Sequence, residues 1–301
     1  MKVSVIIPNY NHAPYLDARI QSVLNQTYQD FEIIILDDCS SDRSREVIEK
    51  YRSDPHVTSI EYNNENCGKV FSQWKKGISL ANGELIWIAE SDDLSDDNFL
   101  ELLSAKFKEH PSLSLAFCKS WMFDNDGNKW AAHQERVSEG FYNGKSFISD
   151  YMSRSCIMYN ASACVFRKSS FNAIDDIYTT FRASGDRMFW TLICEQGDIY
   201  VVDERMNHYR RHGKNSTDHT FLQGINQKEA KRIMDYILYK GYINKKTYIE
   251  TRDTLLKKYV FEFLTDKSLK KEIYDYWGFN YIQQTKLKIH AYAKKIKRFF
   301  E

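Results

Sequence analysis

The sequence predicts an α/β protein with a doubly wound, mixed sheet and a C-terminal helical extension. Short apolar runs rich in β-branched residues alternate with amphipathic helical patterns in the first part of the chain. Acidic residues or asparagine follow these runs, at the sheet edge where open α/β sheets bind their ligands. From about Asp218 long helical patterns replace this alternation, so we divide the chain into residues 1–216 and 217–301.

The first three strand and helix pairs follow one another without a break. Each strand is a continuous apolar run, as expected when both faces of a parallel sheet are covered. Each helix carries apolar residues at spacings of three and four. The predicted strands are Lys2–Ile7, Phe31–Leu36 and Val57–Tyr62, and the predicted helices are Tyr15–Asn25, a segment from a Ser40-Ser41-Asp42 cap to about Arg52, and Val70–Ile78.

A fourth buried strand, Leu85–Ala89, runs directly into Glu90, Asp92 and Asp93. Carboxylates crowded at a strand end are costly unless a cation or a hydrogen-bond donor satisfies them. A hard divalent ion that keeps positions for phosphate oxygens would do so. The acids could instead mark the start of a helix over Asn98–Lys108, where negative charge is favourable. That alternative accounts well for Asp96 and Asp97, but less well for Glu90, Asp92 and Asp93, which come before the cap.

The remaining elements are predicted from the same patterns. Asp124–Asn128 is a polar turn that indicates a hairpin. The further strands are Leu113–Cys118, Ala161–Phe166 and Asp198–Val202, and the further helices are Lys145–Met152, Arg187–Glu195, Gln227–Lys240, Lys245–Leu264 and a segment from Leu269 onward.

Composition narrows the class of protein. The net charge of +1 gives no global sign of nucleic-acid binding. The six cysteines show no C-x-x-C spacing, which is typical of reduced thiols in the cytoplasm. The first apolar run is too short for a signal peptide, and no stretch approaches the roughly 20 apolar residues of a membrane span. We therefore expect a cytoplasmic protein that is soluble or lies on a membrane without crossing it.

The last segment combines an apolar face with many basic residues. Ile289, Tyr292, Ala293, Ile296 and Phe300 share one helical face, and lysines and Arg298 surround it. Such a helix can lie on the anionic inner face of a membrane. It can equally be an ordinary terminal helix with solvated lysines, and the sequence does not separate the two.

Four motifs in this order resemble glycosyltransferase family 2. They are Val3–Asn11 (VSVIIPNYN), Ile35–Asp42 (ILDDCSSD), Asn66-x-Gly68, and Ala81–Glu84 (ANGE) before the acidic strand end. The resemblance covers roughly residues 1–216. It implies a GT-A (Rossmann-like) fold and an inverting enzyme that transfers a hexosyl or N-acetylhexosaminyl group. The donor would be a nucleotide sugar, with a UDP-sugar favoured, and the acceptor a hydroxyl.

The resemblance assigns roles to the nucleotide pocket. Pro8 and Tyr10 would line the pocket of the nucleobase. Asp38 would accept a hydrogen bond from the base, which suits a carboxylate facing an imide N–H. Asn66 and Gly68 would close the pocket.

Glu90-Ser91-Asp92 stands where the family has its D-x-D motif. The resemblance implies that Glu90 contacts the nucleotide, although it replaces the usual first aspartate with a longer side chain. Asp92, with Asp93 beside it, would contact the ribose and bind the Mn²⁺ or Mg²⁺ that bridges the diphosphate. The Arg-Asn pair of the family is absent, and Gln73-Trp74-Lys75 stands near its place.

The second half of the resemblance concerns the chemistry of transfer. Inversion needs a base opposite the leaving group to take the proton of the acceptor hydroxyl. Asp186 matches the second position of the family's acidic motif at a helix start, where Gly185 replaces the usual Glu. His212 matches a histidine that completes the metal site, and Arg210 or Lys214 would hold the departing diphosphate.

Two other functions remain open on the sequence. A nucleotidyltransferase would need a glycine-rich, basic loop after its first strand, which Pro8–His12 lacks. A non-catalytic sugar-nucleotide binding protein would keep Asp38 and Asp92 without needing Asp186. For an enzyme, the basic tail favours a glycan or lipid-linked glycan acceptor in surface polysaccharide synthesis.

Overall fold

Ten strands form one sheet in the computed structural model, which describes residues 1–212, 216–279, 283 and 285. The strands are β1 (Val3–Asn9), β2 (Phe31–Asp37), β3 (Val57–Tyr62), β4 (Leu85–Ile88), β5 (Leu94–Ser95), β6 (Leu113–Phe123), β7 (Lys129–Ala131), β8 (Gly140–Tyr142), β9 (Cys164–Arg167) and β10 (Asp198–Arg210). Their order is β3-β2-β1-β4-β9-β6-β10-β5, with β7 beside β6 and β8 beside β10.

The helices of the described residues alternate with the strands at first and then follow one another. They are α1 (Ala13–Leu24), α2 (Ser44–Glu49), α3 (Val70–Leu80), α4 (Phe99–Glu109), α5 (Gly144–Phe147), α6 (Lys168–Asn172), α7 (Gly185–Cys194), α8 (Ser216–Leu222), α9 (Ile225–Tyr239), α10 (Lys245–Leu255) and α11 (Lys267–Tyr276). Short 3₁₀ turns lie at Ala161–Ala163 and Asp176–Thr180, and π-helical turns at Ile148–Met152 and Leu256–Glu262.

The pairing of the strands decides which loops meet. β1 is parallel to β2 and to β4, while β9 runs antiparallel to both β4 and β6. Because β10 is parallel to β6, it runs in the same direction as β1 and β4. The carboxyl ends of these three strands therefore lie at one edge of the sheet. The strand order also reverses at β1, and such a switch point opens a crevice for ligands.

The predicted doubly wound, mixed sheet is confirmed, and so are its first three strands, β1 to β3. Every residue of β1 and β2 is buried, as the continuous apolar runs predicted. The hairpin turn is also confirmed, since β6 and β7 pair antiparallel on either side of it. The Asp124 carboxylate accepts the backbone N–H groups of Asp126 and Asn128 there.

Several predicted bounds were wrong. The last strand extends from the predicted Val202 to Arg210, because it keeps pairing with β6 through register shifts after Val202. Bulges of this kind interrupt the alternating pattern that marks a strand in sequence. The predicted strand Ala161–Phe166 begins as a 3₁₀ turn. The predicted helix Lys245–Leu264 ends at Leu255, and a π-helical turn follows it. The helix α2, predicted to begin at a Ser40-Ser41-Asp42 cap, begins only at Ser44.

The chain packs as two units. The first contains the described residues of Met1–Phe147, Cys156–Thr180 and Gly185–Gly213, and therefore the whole sheet. The second contains those of Ile148–Ser155, Phe181–Ser184 and the chain from Lys214 onward. The division of the sequence at residue 216 stays a prediction.

The second unit has its own apolar core. The Glu229 carboxylate accepts backbone N–H groups of Arg182, Ala183 and Ser184, so this short segment is bound to α9. The buried core residues are Met234, Leu256, Val260, Leu264, Ile273, Tyr274, Trp277 and Phe279. The predicted basic helix of the tail lies outside the described residues. Within the described ranges, none of the helices combines the length and the apolar character needed to cross a membrane.

Candidate active site

Three side chains converge at the carboxyl edge of the sheet. His12 follows β1, Asp92 follows β4 and His212 follows β10, so the parallel direction of these strands brings the three loops together. The ligand atoms of the three side chains all lie within 4.8 Å of one another. Two imidazoles and one carboxylate at this spacing form a candidate metal centre.

Hydrogen bonds and ring contacts hold this cluster in place. His212 Nε2 lies 3.0 Å from Asp92 Oδ2, and His12 Nδ1 lies 2.8 Å from the Ser91 hydroxyl. The Tyr15 ring stacks on the His212 ring at a centroid distance of 5.7 Å. A ring nitrogen bonded to a second group orients a histidine for a ligand at its other nitrogen.

The charges at the cluster suit metal binding. Burial lowers the pKa of His12 more than nearby Asp92 raises it, so the imidazole is neutral at pH 7. Burial acts to raise the pKa of Asp92, but the hydrogen bond from His212 and the proximity of His12 bring it below its ordinary value. A neutral imidazole and an ionised carboxylate are the forms that bind metals.

Arg210 places a fixed positive charge beside the cluster. Its guanidinium lies between two aromatic rings, 4.5 Å from the Tyr15 centroid and 4.2 Å from the Phe123 centroid. Arg210 Nε donates to the Asp92 carbonyl at 2.8 Å. These contacts hold a guanidinium that can form charge-assisted bonds with phosphate oxygens.

Asp93 lies next to the cluster but does not join it. Its Oδ2 accepts hydrogen bonds from the Ser162 hydroxyl at 2.7 Å and from the Asn160 amide, and its Oδ1 accepts the Arg210 backbone N–H at 3.0 Å. Burial and the charge of Asp92 raise the pKa of Asp93 to about 7. The Asp93 carboxylate therefore binds the end of β10 at Arg210, and its role as a metal ligand stays a prediction.

Glu90 is held by an indole. Trp74 Nε1 on α3 donates to Glu90 Oε1 at 2.9 Å. Burial and the charges of Asp92 and Asp93 raise the pKa of Glu90 to about 8. Three acids thus share a small buried volume, which favours a bound cation.

A buried arginine supplies part of the compensating charge. Arg19 on α1 has no solvent exposure, and its guanidinium lies 4.8 Å from the centroid of Trp87 on β4. Burial lowers the pKa of Arg19 to about 10, against the opposing effect of Asp93 and Glu90. Even at that value Arg19 is positively charged at neutral pH.

A second group of polar residues lies at the end of β2. The Asp38 carboxylate is buried and accepts hydrogen bonds from Asn63 Nδ2 at 2.6 Å, Gln73 Nε2 at 2.9 Å and the Cys67 backbone N–H at 3.0 Å. Most of these bonds go to Oδ1. Oδ2 receives only the longer contacts of Cys67, so it is the better acceptor for a further donor.

The other predicted pocket residues lie at the end of β1 and in the segment that contains Asn66. Asn66 Nδ2 donates to the Asp38 carbonyl at 3.2 Å, and Gly68 follows with a φ of 62°. Pro8 is buried near the end of β1, and Tyr10, the first residue after this strand, is 46% exposed. The structure therefore brings Asn66 to Asp38 and leaves the Tyr10 ring accessible.

Asp186 is the second residue of α7 and is half-buried. Its Oδ1 accepts the Arg187 backbone N–H at 2.7 Å. Burial raises the pKa of the Cys156 thiol, and the charge of Asp186 adds to this effect. The residue before Asp186 is Gly185, and the Phe71 ring occupies the space that a side chain at this position would need. A Cβ added to Gly185 would lie only 2.3 Å from a carbon of that ring.

The family model described as Glycosyl transferase family 2 matches residues 4–175, more than half of the chain. The chain belongs to glycosyl transferase family 2. It is accordingly a glycosyltransferase, and the matched range contains β1 from Ser4 onward, β2 to β4, His12, Asp38 and the acidic strand end.

Similar proteins agree with this family. An uncharacterized glycosyltransferase of Nostoc sp. is 28% identical over 257 residues, which cover 81% of this chain and 75% of that protein. The poly(ribitol-phosphate) beta-N-acetylglucosaminyltransferase TarS of Staphylococcus aureus is 33% identical over 118 residues, which cover 37% of this chain and 20% of that protein.

Solved structures show the same fold. Residues 1–349 of S. aureus TarS, in complex with UDP-GlcNAc, match with a TM-score of 0.66 and 20% identity over 88% of this chain and 74% of that chain. The mannosyltransferase PcManGT of Pyrobaculum calidifontis, in complex with GDP-Man and Mn²⁺, matches with a TM-score of 0.58 and 13% identity over 99% and 86%. The fold of this glycosyl transferase family 2 chain is therefore GT-A.

Two residues of the site were missed at the sequence level. His12 comes just after β1, so the argument that singled out the acids after β4 applied equally to it. Trp74 is an apolar residue on a helix face and gave no sign of its hydrogen bond to Glu90.

Proposed function

We propose that this glycosyltransferase moves a sugar from a nucleoside diphosphate sugar, preferentially a UDP-sugar, to a hydroxyl acceptor with inversion at the anomeric carbon. The observation that carries the proposal is the cluster of His12, Asp92 and His212 with Arg210 beside it. A divalent metal and a guanidinium are the groups that stabilise a departing diphosphate.

The donor atoms fit a transition metal. His12, Asp92 and His212 would hold the ion, and two imidazoles favour Mn²⁺ over Mg²⁺, which prefers oxygen ligands. When bound, the ion supplies positive charge for the diphosphate oxygens. The Mn²⁺ in the complex of PcManGT supports this assignment.

The chain's own residues bind the nucleotide. Arg210, fixed between Tyr15 and Phe123, donates to the phosphate oxygens. Asp38 accepts the N–H of the base through its less occupied Oδ2. An imide N–H, as in uracil, suits such a carboxylate, and the UDP-GlcNAc complex of TarS supports a uridine nucleotide.

Asp186 acts as the general base. Its carboxylate takes the proton of the acceptor hydroxyl as that oxygen forms a bond to the anomeric carbon. The bond between the anomeric carbon and the diphosphate oxygen breaks at the same time, and the diphosphate leaves on the opposite face. The acceptor oxygen supplies the electron pair of the new bond, the diphosphate takes the pair of the broken bond, and the proton goes to Asp186, so the configuration of the anomeric carbon is inverted.

The acceptor we propose is a glycan or lipid-linked glycan of a surface polysaccharide. The name of TarS, which describes transfer to a poly(ribitol-phosphate), supports this class. The basic residues of the tail support binding to an anionic membrane surface. Flotation with phosphatidylglycerol vesicles tests this part, comparing the full chain with one ended after Gln283. Equal flotation of the two chains, or none by either, would remove the membrane proposal.

The nucleotide proposal is tested by thermal unfolding with UDP, GDP, dTDP or CMP, each with Mn²⁺ and with EDTA. A ligand that binds only the folded state stabilises it by about 2.7 kcal/mol at a hundredfold excess over Kd. We expect the largest shift with UDP and Mn²⁺, and a smaller one with EDTA. No shift with any nucleotide would contradict the proposal.

A further inference from the structure

Trp74 makes a single, directed contact with the candidate donor site. Its side chain is only 3% exposed, and its Nε1 donates to Glu90 Oε1 at 2.9 Å. Glu90 is half-buried and shares the end of β4 with Asp92. An indole has one hydrogen-bond donor and no acceptor, so Trp74 commits its whole hydrogen-bonding capacity to this carboxylate.

The contact leaves half of the carboxylate available. Among the described residues, none donates a hydrogen bond to Glu90 Oε2, while Oε1 accepts from Trp74. Glu90 also lies close enough to Asp92 and Asp93 for their charges to act on it. The bond from the buried indole fixes the position of Oε1 and thereby orients Oε2.

The ring of Trp74 is itself fixed by an aromatic cluster. Its centroid lies 5.1 Å from that of Phe71, 5.5 Å from that of Phe189 and 6.3 Å from that of Trp190. Phe189 and Trp190 belong to α7, the helix that begins with Gly185 and Asp186. The ring that binds Glu90 therefore packs against α7, the helix that carries the proposed base.

We propose that Trp74 is a positioning residue of the donor site, which holds Glu90 so that its free oxygen accepts a ribose hydroxyl of the bound nucleotide. The inference rests on the proposed function and deepens it. It gives a physical reason for a glutamate at this place, since a shorter aspartate would leave the indole N–H beyond reach.

Trp190 offers a matched control. Its indole nitrogen is also buried, but it has no hydrogen-bond partner in the described part of the chain. Trp74→Phe and Trp190→Phe remove the same atoms from neighbouring rings of one cluster. Only the first of them removes a bond to Glu90.

The test measures nucleotide affinity by isothermal titration calorimetry of the full chain with UDP, GDP and dTDP in the presence of Mn²⁺. For the nucleotide that the wild type binds most tightly, we expect Trp74→Phe to raise Kd about tenfold, or about 1.4 kcal/mol. We expect Trp190→Phe to stay within about twofold of the wild type. In a Glu90→Ala background, Trp74→Phe should cause no further change, because the partner is absent.

Two further variants test the same bond without altering the aromatic cluster. Glu90→Asp shortens the side chain and should weaken binding about as much as Trp74→Phe. Glu90→Gln keeps the length and a carbonyl acceptor for the indole, so it should bind more tightly than Glu90→Asp. This order would not arise from a loss of packing.

Equal affinity of Trp74→Phe and the wild type would overturn the inference. An equal loss in the Glu90→Ala background would also overturn it, because the effect would then not pass through Glu90. If the wild type binds none of the three nucleotides with Mn²⁺, the proposed function fails first and the inference fails with it.

Discussion

His212 Nε2 lies 3.0 Å from Asp92 Oδ2, although 120 residues separate them in sequence. The contact exists because β10 continues beside β6 through two further register shifts after Val202 and ends at the same sheet edge as β4. A second pair, His208 with Asp96 at 2.7 Å, comes from the same strand. Among the described residues, this second pair does not belong to a group of three metal-ligating side chains.

The two pairs allow a controlled test of metal binding. Asp92→Asn removes the carboxylate ligand of the cluster. Loss of a residue that only supports a metal ligand typically lowers metal affinity by about tenfold or more, so we expect Mn²⁺ affinity to fall by at least that much. Asp96→Asn alters the other pair of histidine and aspartate, His208 with Asp96, which lies outside the cluster. This substitution should leave Mn²⁺ affinity unchanged. Calorimetric titration of the two variants with Mn²⁺ measures both. Equal affinities in the two variants would show that the cluster does not bind the metal.

Asp186→Asn tests the proposed base. We expect turnover of a UDP-sugar to fall by about 10² to 10⁴, the usual contribution of a general base. UDP binding with Mn²⁺ should remain, since Asp186 holds no nucleotide in the proposal. UDP release from the donor measures turnover, and Asp176→Asn, which alters a surface pair with Lys75, is the control. A wild-type chain that binds UDP without turnover would instead favour a non-catalytic binding protein.

The parts of the site that lie on regular strands could be predicted from sequence. The buried run of β4 followed by acids, and the same pattern after β2, identified Asp92 and Asp38 because parallel strands end at a shared edge. The fold class followed from the same alternation of strands and helices. His212 came from the family resemblance, since its local sequence gives no sign of a strand.

The remaining features depend on packing between distant segments. Asp93 and Asp92 are adjacent in sequence, yet only the contacts of Asp93 with Asn160, Ser162 and the backbone of Arg210 show that it supports the end of β10. The bulged part of β10 lacks the alternation that marks a strand. Hydrogen bonds that reach across the fold leave no local pattern for sequence analysis to detect.

Glu32 predicts a component of acid sensitivity. Burial alone would raise its pKa, but hydrogen bonds from Ser4, Lys2 and Asn82 lower it to about 2. Because the pKa in the unfolded chain is higher, the ionised group stabilises the fold above about pH 4.5, and this is lost as the pH falls toward 2. A shift of this size corresponds to about 3 kcal/mol at neutral pH.

Urea unfolding at pH 7 and pH 3 measures this contribution. Between these values the wild type should lose about 2 kcal/mol more unfolding free energy than Glu32→Gln, which cannot titrate. Glu65→Gln, on the exposed surface, provides the control and should lose as much stability as the wild type. If Glu32→Gln lost as much stability as the wild type over this range, the ionisation of Glu32 would not be responsible.

Gly185→Ala tests why this chain has glycine before Asp186. A methyl group there would lie 2.3 Å from a carbon of the Phe71 ring, which is itself buried against Trp74. Overpacking of this kind costs about 1 to 3 kcal/mol, although alanine is otherwise the better helix residue. We therefore expect the unfolding free energy in urea to fall. In a Phe71→Leu background the same substitution should cost much less, because the smaller side chain leaves room. An equal loss in both backgrounds would mean that the backbone of Gly185, rather than contact with Phe71, requires glycine at this position.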